Sequence, residues 1–381
     1  MMKVANRLGH IKEYYFSRKL NEVRALAAAG NDIINMGIGS PDLPAPQTVV
    51  TALKESLVDP KAHQYQSYIG LPELREAIAQ FYANHYNVSL DATHEILPLM
   101  GSKEGIMHIS MAFLNPGDQV LIPNPGYPTY SAVTKLVAAT AIRYELDETN
   151  HWLPDLNALA QQDLSKVKLM WLNYPHMPTG AVASKRFYEE VITFAKANDI
   201  LLINDNPYSF ILNENPQSIF QIEGAKEVAL ELNSLSKSFN MAGWRVGMLL
   251  GNATNIESVL KVKSNMDSGM FYGIQKGAIA ALQLDGKWFD AMNKIYEKRR
   301  EAIYTLADKL QCSYAKNTVG MFVWAKLPEG MEAEGFIDRI LYDKNIFIAP
   351  GTIFGSKGEG HIRFSLCVSQ ERIKQAIERV S

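Results

Sequence analysis

Asn173, Asp205 and Lys237 follow one another at intervals of 32 residues, close to the ~30 residues that one strand–helix–strand step occupies. Each ends a short apolar run, so the three side chains are expected at successive strand ends along one sheet edge, where open α/β folds bind ligands. Tyr208 stands three residues beyond Asp205, and Ser234 and Ser236 precede the lysine. Upstream, Gly101-Ser102-Lys103 closes another apolar run and opens a helix, an arrangement that frees backbone N–H groups for an anion. Taken singly, these features also suit a tight turn, a capping aspartate and a solvated lysine. Taken together they suit an electron-sink cofactor with a ring nitrogen, a phenolic oxygen and an aldehyde, which describes pyridoxal phosphate. No Walker loop and no G-x-G-x-x-G is present to suggest a nucleotide.

The elements that must position these groups alternate along the chain. After a helical opening (residues 11–29) and a Gly/Pro-rich extended segment (33–46), strands are expected at 95–100, 119–123, 168–173, 200–204 and 228–234. Amphipathic helices fill the intervals at 72–85, 103–114, 130–139 and 184–197. Strands that are apolar throughout imply a parallel sheet buried on both faces. A long helical stretch (274–310), interrupted at Asp285-Gly286, leads to short strands at 321–325, 346–349 and 361–364, the pattern of a second, smaller unit. The expected division is 1–44 as helix and connector belonging to the small domain, 45–288 as the large cofactor-binding domain, and 289–381 as the small C-terminal domain.

The run from Ser234 to Gly247, Ser-Leu-Ser-Lys-Ser-Phe-Asn-Met-Ala-Gly-Trp-Arg-Val-Gly, resembles the lysine motif of the class I/II pyridoxal-phosphate-dependent aminotransferases of fold type I, and the likeness extends over nearly the whole chain. The resemblance implies an α/β fold, a mostly parallel sheet flanked by helices with a smaller α+β C-terminal domain. It makes Lys237 the residue that forms the Schiff base. Ser234, Ser236 and Arg245 would surround the phosphate, the arginine fork suiting a dianion, with Gly101, Ser102 and Lys103 as the phosphate turn. Asp205 would pair with the pyridinium nitrogen, Tyr208 with the ring oxygen, and Tyr127 would stack on the ring, with Asn173 beside it. Tyr65 resembles the tyrosine that reaches the phosphate of a neighbouring subunit, which implies a homodimer. Arg363 matches the arginine that takes the substrate α-carboxylate, and Gly39 the backbone contact beside it.

One position departs from the family pattern. The segment Asn173 to Gly180 carries Met177 where an asparagine usually touches both cofactor and substrate, and methionine cannot donate those bonds. His176 is the neighbouring donor able to compensate. The expected reaction is ping-pong transamination between an L-amino acid and a 2-oxo acid, aspartate- or LL-diaminopimelate-like in its substrates. The alternative is a pyridoxal-phosphate-dependent β-lyase acting on a cysteine conjugate.

The bulk composition narrows the remaining choices. A net charge of -2 with scattered basic residues argues against nucleic acid as a partner. Two cysteines exclude a disulfide framework and an all-cysteine zinc site, and no metal is expected. No apolar run approaches the ~20 residues of a membrane span, and the charged, aromatic N-terminus does not read as a signal peptide. The expectation is therefore a cytoplasmic protein.

Overall fold

The computed structural model describes residues 3–10 and 15–381. The opening helix runs over Tyr15–Ala28; its expected first turn, residues 11–14, lies outside the described residues. The extended segment that follows contains β1 (Ile34–Asn35) and then continues irregularly past Gly37 and Gly39.

The central sheet is built from β2 (Ile96–Leu99), β3 (Gln119–Asn124), β4 (Thr140–Glu145), β5 (Val167–Leu172), β6 (Leu201–Asp205), β7 (Ala229–Ser234) and β8 (Gly247–Leu250). Its order is β2-β8-β7-β6-β5-β3-β4. The pairings β4 to β3, β3 to β5, β5 to β6 and β6 to β7 are parallel, and only β8 runs against its neighbours β2 and β7. Central strands such as β7 and β8 are buried at every position, as a sheet covered by helices on both faces requires.

Two strands of this sheet were not expected, for physical reasons. β4 reads Thr-Ala-Ile-Arg-Tyr-Glu and lies at the sheet edge with five of its six residues exposed or partly so, so it lacks an apolar run. β8 is four residues long and sits directly behind Arg245. Helix boundaries follow local capping. Ser184 accepts a bond from Phe187 N to open Lys185–Asn198, and Asp285 accepts one from Lys287 N to open Gly286–Lys309, which explains the Asp285-Gly286 interruption.

The C-terminal part adds β9 (Ser313–Tyr314), β10 (Phe322–Lys326), β11 (Ile346–Phe347), β12 (Ala349–Pro350) and β13 (His361–Ser365). Four of them form an antiparallel sheet in the order β12-β13-β10-β9. β11 instead pairs in parallel with β1, which draws the N-terminal connector onto the C-terminal part. That junction is fastened by ions. Arg372 and Arg379, on the last helix (Gln370–Val380), both pair with Asp32, and Arg299 grips Asp42 through two bonds of 2.7 and 2.8 Å. No helix among the described residues is long and apolar enough to cross a membrane.

Candidate active site

The carboxyl ends of β5, β6 and β7 open into a cavity of about 470 Å³. Asn173, Asp205, Tyr208, Ser234, Ser236 and Lys237 all line it, joined by Ser102, Lys103, Tyr127, Arg245, Gly39 and Arg363. The equal spacing read in the sequence thus corresponds to one edge of the sheet.

Lys237 lies on the short helix Leu235–Ser238, which begins directly at the end of β7. Its Nζ donates to the Gly39 carbonyl at 2.6 Å. Burial pushes its pKa below the usual lysine value, with the Arg363 and Arg245 charges acting in the same direction. A neutral amine is thereby favoured, the form in which lysine is a nucleophile and a base.

Asp205 ends β6 and is buried. Its Oδ2 accepts a 2.8 Å bond from the Tyr130 hydroxyl, while Oδ1 is buried without a partner among the described residues. Burial raises its carboxyl to about 6 against the opposing effects of the Tyr130 bond and the Lys237 charge. Tyr130 is a neighbour of the site to which the sequence assigned no role. It stacks on Trp171, ring centroids 4.8 Å apart, and so fixes the carboxylate from behind. The signal was its place three residues after Tyr127, across the start of the helix Pro128–Leu136.

The anion-binding end is built from close backbone approach. Gly101 caps the helix Ser102–Phe113 with φ +88°, and a Cβ there would lie 2.1 Å from Arg245 Nη2. A Cβ on Gly247 would lie 2.5 Å from the Ser102 amide nitrogen. Ser234 Oγ sits 2.9 Å from Ser236 Oγ and accepts from the Ser236 amide at 3.1 Å. Two hydroxyls, a helix N-terminus and a guanidinium therefore converge where only glycines leave room.

At the other end, Arg363 is carried by β13. Its guanidinium lies 4.0 Å from the centroid of Phe322 and 4.7 Å from that of Phe354, donates to Gly37 O at 2.7 Å and touches Met177 Sδ at 3.3 Å. Met177 takes its backbone position from Asn173, whose Oδ1 accepts from the Met177 amide at 2.9 Å; Asn173 Nδ2 in turn donates to Asp205 O at 2.6 Å.

Two expected residues lie elsewhere. His176 bonds Thr179 Oγ1 through Nδ1 at 2.8 Å, does not line the cavity, and is held neutral by burial, its pKa lowered to about 3. It does not stand in for the missing asparagine. Tyr65 is 91% exposed and outside the cavity of its own chain. Elsewhere, Glu104, His108 and Asp267 bring ligand atoms within 4.8 Å of one another, but the buried Lys263 ammonium, 2.9 Å from Asp267, already supplies a positive charge there.

The chain as a whole is similar to known proteins. A chain from Maridesulfovibrio salexigens named LL-diaminopimelate aminotransferase is 39% identical over all of this chain and 98% of its own length. Its namesake from Halothermothrix orenii is 40% identical with the same coverage. Among solved structures, apo-BacF from Bacillus subtilis superimposes with a TM-score of 0.96 at 36% identity, covering 100% of this chain and 98% of that one. The family described as aminotransferase class I and II matches residues 31–380, and the chain belongs to that family.

Proposed function

We propose that this aminotransferase works by a ping-pong cycle centred on Lys237, in a cytoplasmic homodimer whose Tyr65 completes the partner's site. Pyridoxal phosphate is the cofactor of the family, and the residues fit it. The buried, unpartnered Asp205 Oδ1 suits a protonated ring nitrogen, and the glycine-lined turn facing Arg245 suits a phosphate. Tyr208 and Tyr127 flank the space a ring would occupy. When bound, the cofactor supplies an aldehyde for the amino group and a ring that takes up the electron pair left when Cα loses its proton.

The chain's own groups do the rest. Arg363 and Gly39 hold the α-carboxylate, with the phenyl rings of Phe322 and Phe354 keeping the guanidinium in place. Lys237 Nζ would carry the proton from Cα to the cofactor carbon that bears the aldehyde in one half-reaction and back to Cα of the second substrate in the other, a role its lowered pKa favours. Asp205, steadied by Tyr130, keeps the ring nitrogen protonated. The domain division proposed is 45–288 as the large domain and 1–44 with 289–381 as the small one. It is supported by the separate four-stranded sheet and by the β1 to β11 pairing. The names of the relatives support an amino-dicarboxylic donor of the LL-diaminopimelate or aspartate kind and leave the β-lyase alternative without support.

The observation that carries this reading is the convergence of Lys237, Asp205 and Arg363 on one cavity. The test is the visible spectrum of the purified protein with pyridoxal phosphate, before and after aspartate, glutamate or LL-diaminopimelate. A yellow band that is lost as the matching 2-oxo acid is released supports transamination; a band that yields ammonia and pyruvate from a cysteine conjugate supports the lyase. No band at all overturns the cofactor assignment, and a Lys237→Ala protein that still turns over overturns the role of the lysine.

A further inference from the structure

The strand that leads to Lys237 carries an acid in its interior. β7 reads Ala-Leu-Glu-Leu-Asn-Ser and is buried at every position, and Glu231 within it is 0% exposed. Taking a carboxylate out of water is costly unless its oxygens are well bonded. Here three groups donate to them: the Tyr82 hydroxyl to Oε1 at 2.8 Å, and Asn204 Nδ2 and the Ile219 amide to Oε2 at 3.1 and 3.0 Å. Burial raises the carboxyl above the usual range, and these bonds draw it back. A group that meets only donors must be a pure acceptor, which is the ionised carboxylate. Glu231 does not line the cavity, yet it precedes Lys237 by only six residues.

Its bonds lead to the site in two directions. The first runs along β6. Asn204 is the register partner of Glu231 and directly precedes Asp205. Its Oδ1 accepts from the Tyr174 amide at 3.3 Å, beside Asn173, whose Nδ2 donates to Asp205 O. Consecutive residues of a strand face opposite sides of the sheet, so Glu231 holds Asn204 on one side while Tyr130 holds Asp205 on the other. The second direction runs through Tyr82, on the helix Pro72–Tyr86. Tyr82 donates its one proton to Glu231, which leaves its oxygen to accept from Asn233 Nδ2 at 2.9 Å. Asn233 Oδ1 then accepts from the Ser234 amide at 2.7 Å, and Ser234 Oγ accepts from the amide of Ser236.

Resting on the aminotransferase reading, we propose that Glu231 is a positioning residue of the active site: by fixing which way Asn204 and Asn233 point, it sets the two strand ends that carry Asp205 and the turn from Ser234 to Lys237. Glu231, Asn204 and Tyr82 are enclosed by their own chain, so the effect belongs to the protomer. A glutamine at 231 would turn an NH2 group toward one set of donors. Facing Asn204 and Ile219, it opposes two N–H groups; facing Tyr82, it drives the phenol proton toward Asn233 Nδ2 and reverses that branch.

The experiment compares wild type, Glu231→Gln and Tyr82→Phe. In the cofactor-free proteins, calorimetric titration with inorganic phosphate reads the Ser234 end independently of turnover. In the holoenzymes, loss of the cofactor band with the fastest donor among aspartate, glutamate and LL-diaminopimelate gives a maximal rate and a half-saturating concentration. Both variants are expected to raise the phosphate Kd roughly three- to tenfold, the effect of one misdirected hydrogen bond. Glu231→Gln is expected to lower the maximal rate about tenfold, since small displacements of aligned groups are felt strongly in rate. Its half-saturating concentration should stay within about twofold, because Arg363 stands on the other sheet. Tyr82→Phe leaves the Asn204 branch in place and should lower the rate by a smaller factor. Equal rate losses in the two variants, or a half-saturating concentration that rises in step with the rate loss, would mean a general loosening of the sheet and overturn the proposal. A phosphate Kd unchanged in both overturns it too. If Glu231→Gln does not fold, Tyr82→Phe decides: a raised phosphate Kd at wild-type Tm supports the proposal, and an unchanged Kd overturns it. A wild type that turns over none of the donors overturns the aminotransferase reading, while the phosphate titration still tests Glu231; a wild type that does not bind phosphate overturns the inference.

Discussion

Arg363 Nη1 lies 3.3 Å from Met177 Sδ, so a thioether occupies the side of the guanidinium where the family pattern has an amide. Sulfur accepts only weakly and donates nothing. Two phenyl rings and the Gly37 carbonyl also hold Arg363. Met177→Asn restores a donor, and with a hydrogen bond worth about 0.5–1.5 kcal/mol, KM is expected to fall roughly two- to tenfold. Steady-state kinetics on the substrate panel measure this; identical constants for every substrate would make the substitution irrelevant.

Asp205 gives a pH signature to the stability of the cofactor-free protein. Its folded carboxyl titrates near 6 instead of 3.8 because it is buried. The folded state therefore keeps a proton that the unfolded chain releases. The contribution is complete below pH 3.8 and is lost as pH rises through 6, amounting to about 3 kcal/mol. Urea unfolding of wild type and Asp205→Asn at a series of pH values isolates it. The difference between the two should shift by roughly that amount across the window, in the direction of a less stable wild type at high pH, and a flat difference refutes the assignment.

Gly101→Ala tests the anion-binding turn. With φ +88° and ψ 151°, the backbone there is open only to glycine, and a side chain adds of order 1–3 kcal/mol of strain. The new methyl would also meet the Arg245 guanidinium. Spectral titration with pyridoxal phosphate should give a Kd raised roughly tenfold or more; an unchanged Kd would place the phosphate elsewhere.

Tyr65→Phe separates the chain from the dimer. Because the side chain is exposed in its own protomer, the cofactor-free Tm should stay within the range of ordinary surface substitutions. Loss of a hydrogen bond to a charged phosphate, worth about 1.5–3 kcal/mol, should still weaken cofactor binding at least tenfold. A normal Kd would remove Tyr65 from the neighbouring site.

What was legible in the sequence was what the sheet makes periodic. Asn173, Asp205 and Lys237 are found together because each stands at or just beyond the end of a parallel strand of the same sheet, and one strand–helix step repeats in length. Arg363 sits on a different sheet and was found through a motif, with no spacing to reveal it. Tyr130 behind Asp205 was hidden because a tyrosine in the first turn of a helix, two residues after Pro128, reads as core packing. The seating of Leu20 and Ile38 in the cavity depends on β1 pairing with β11 across more than 300 residues, a tertiary event with no local trace. The edge strand β4 escaped because half-solvated residues carry no apolar run.

The ion pairs between Asp32 and the last helix reach further than their exposed position suggests. Asp32 is seven residues from Gly39, whose carbonyl accepts a bond from Lys237 Nζ. The C-terminal helix thus works as a buckle on the strap that crosses the cavity. Trimming Gln370–Val380 would take away both arginines that hold Asp32, and with them the outer fastening of the segment that carries Gly39 to the cavity.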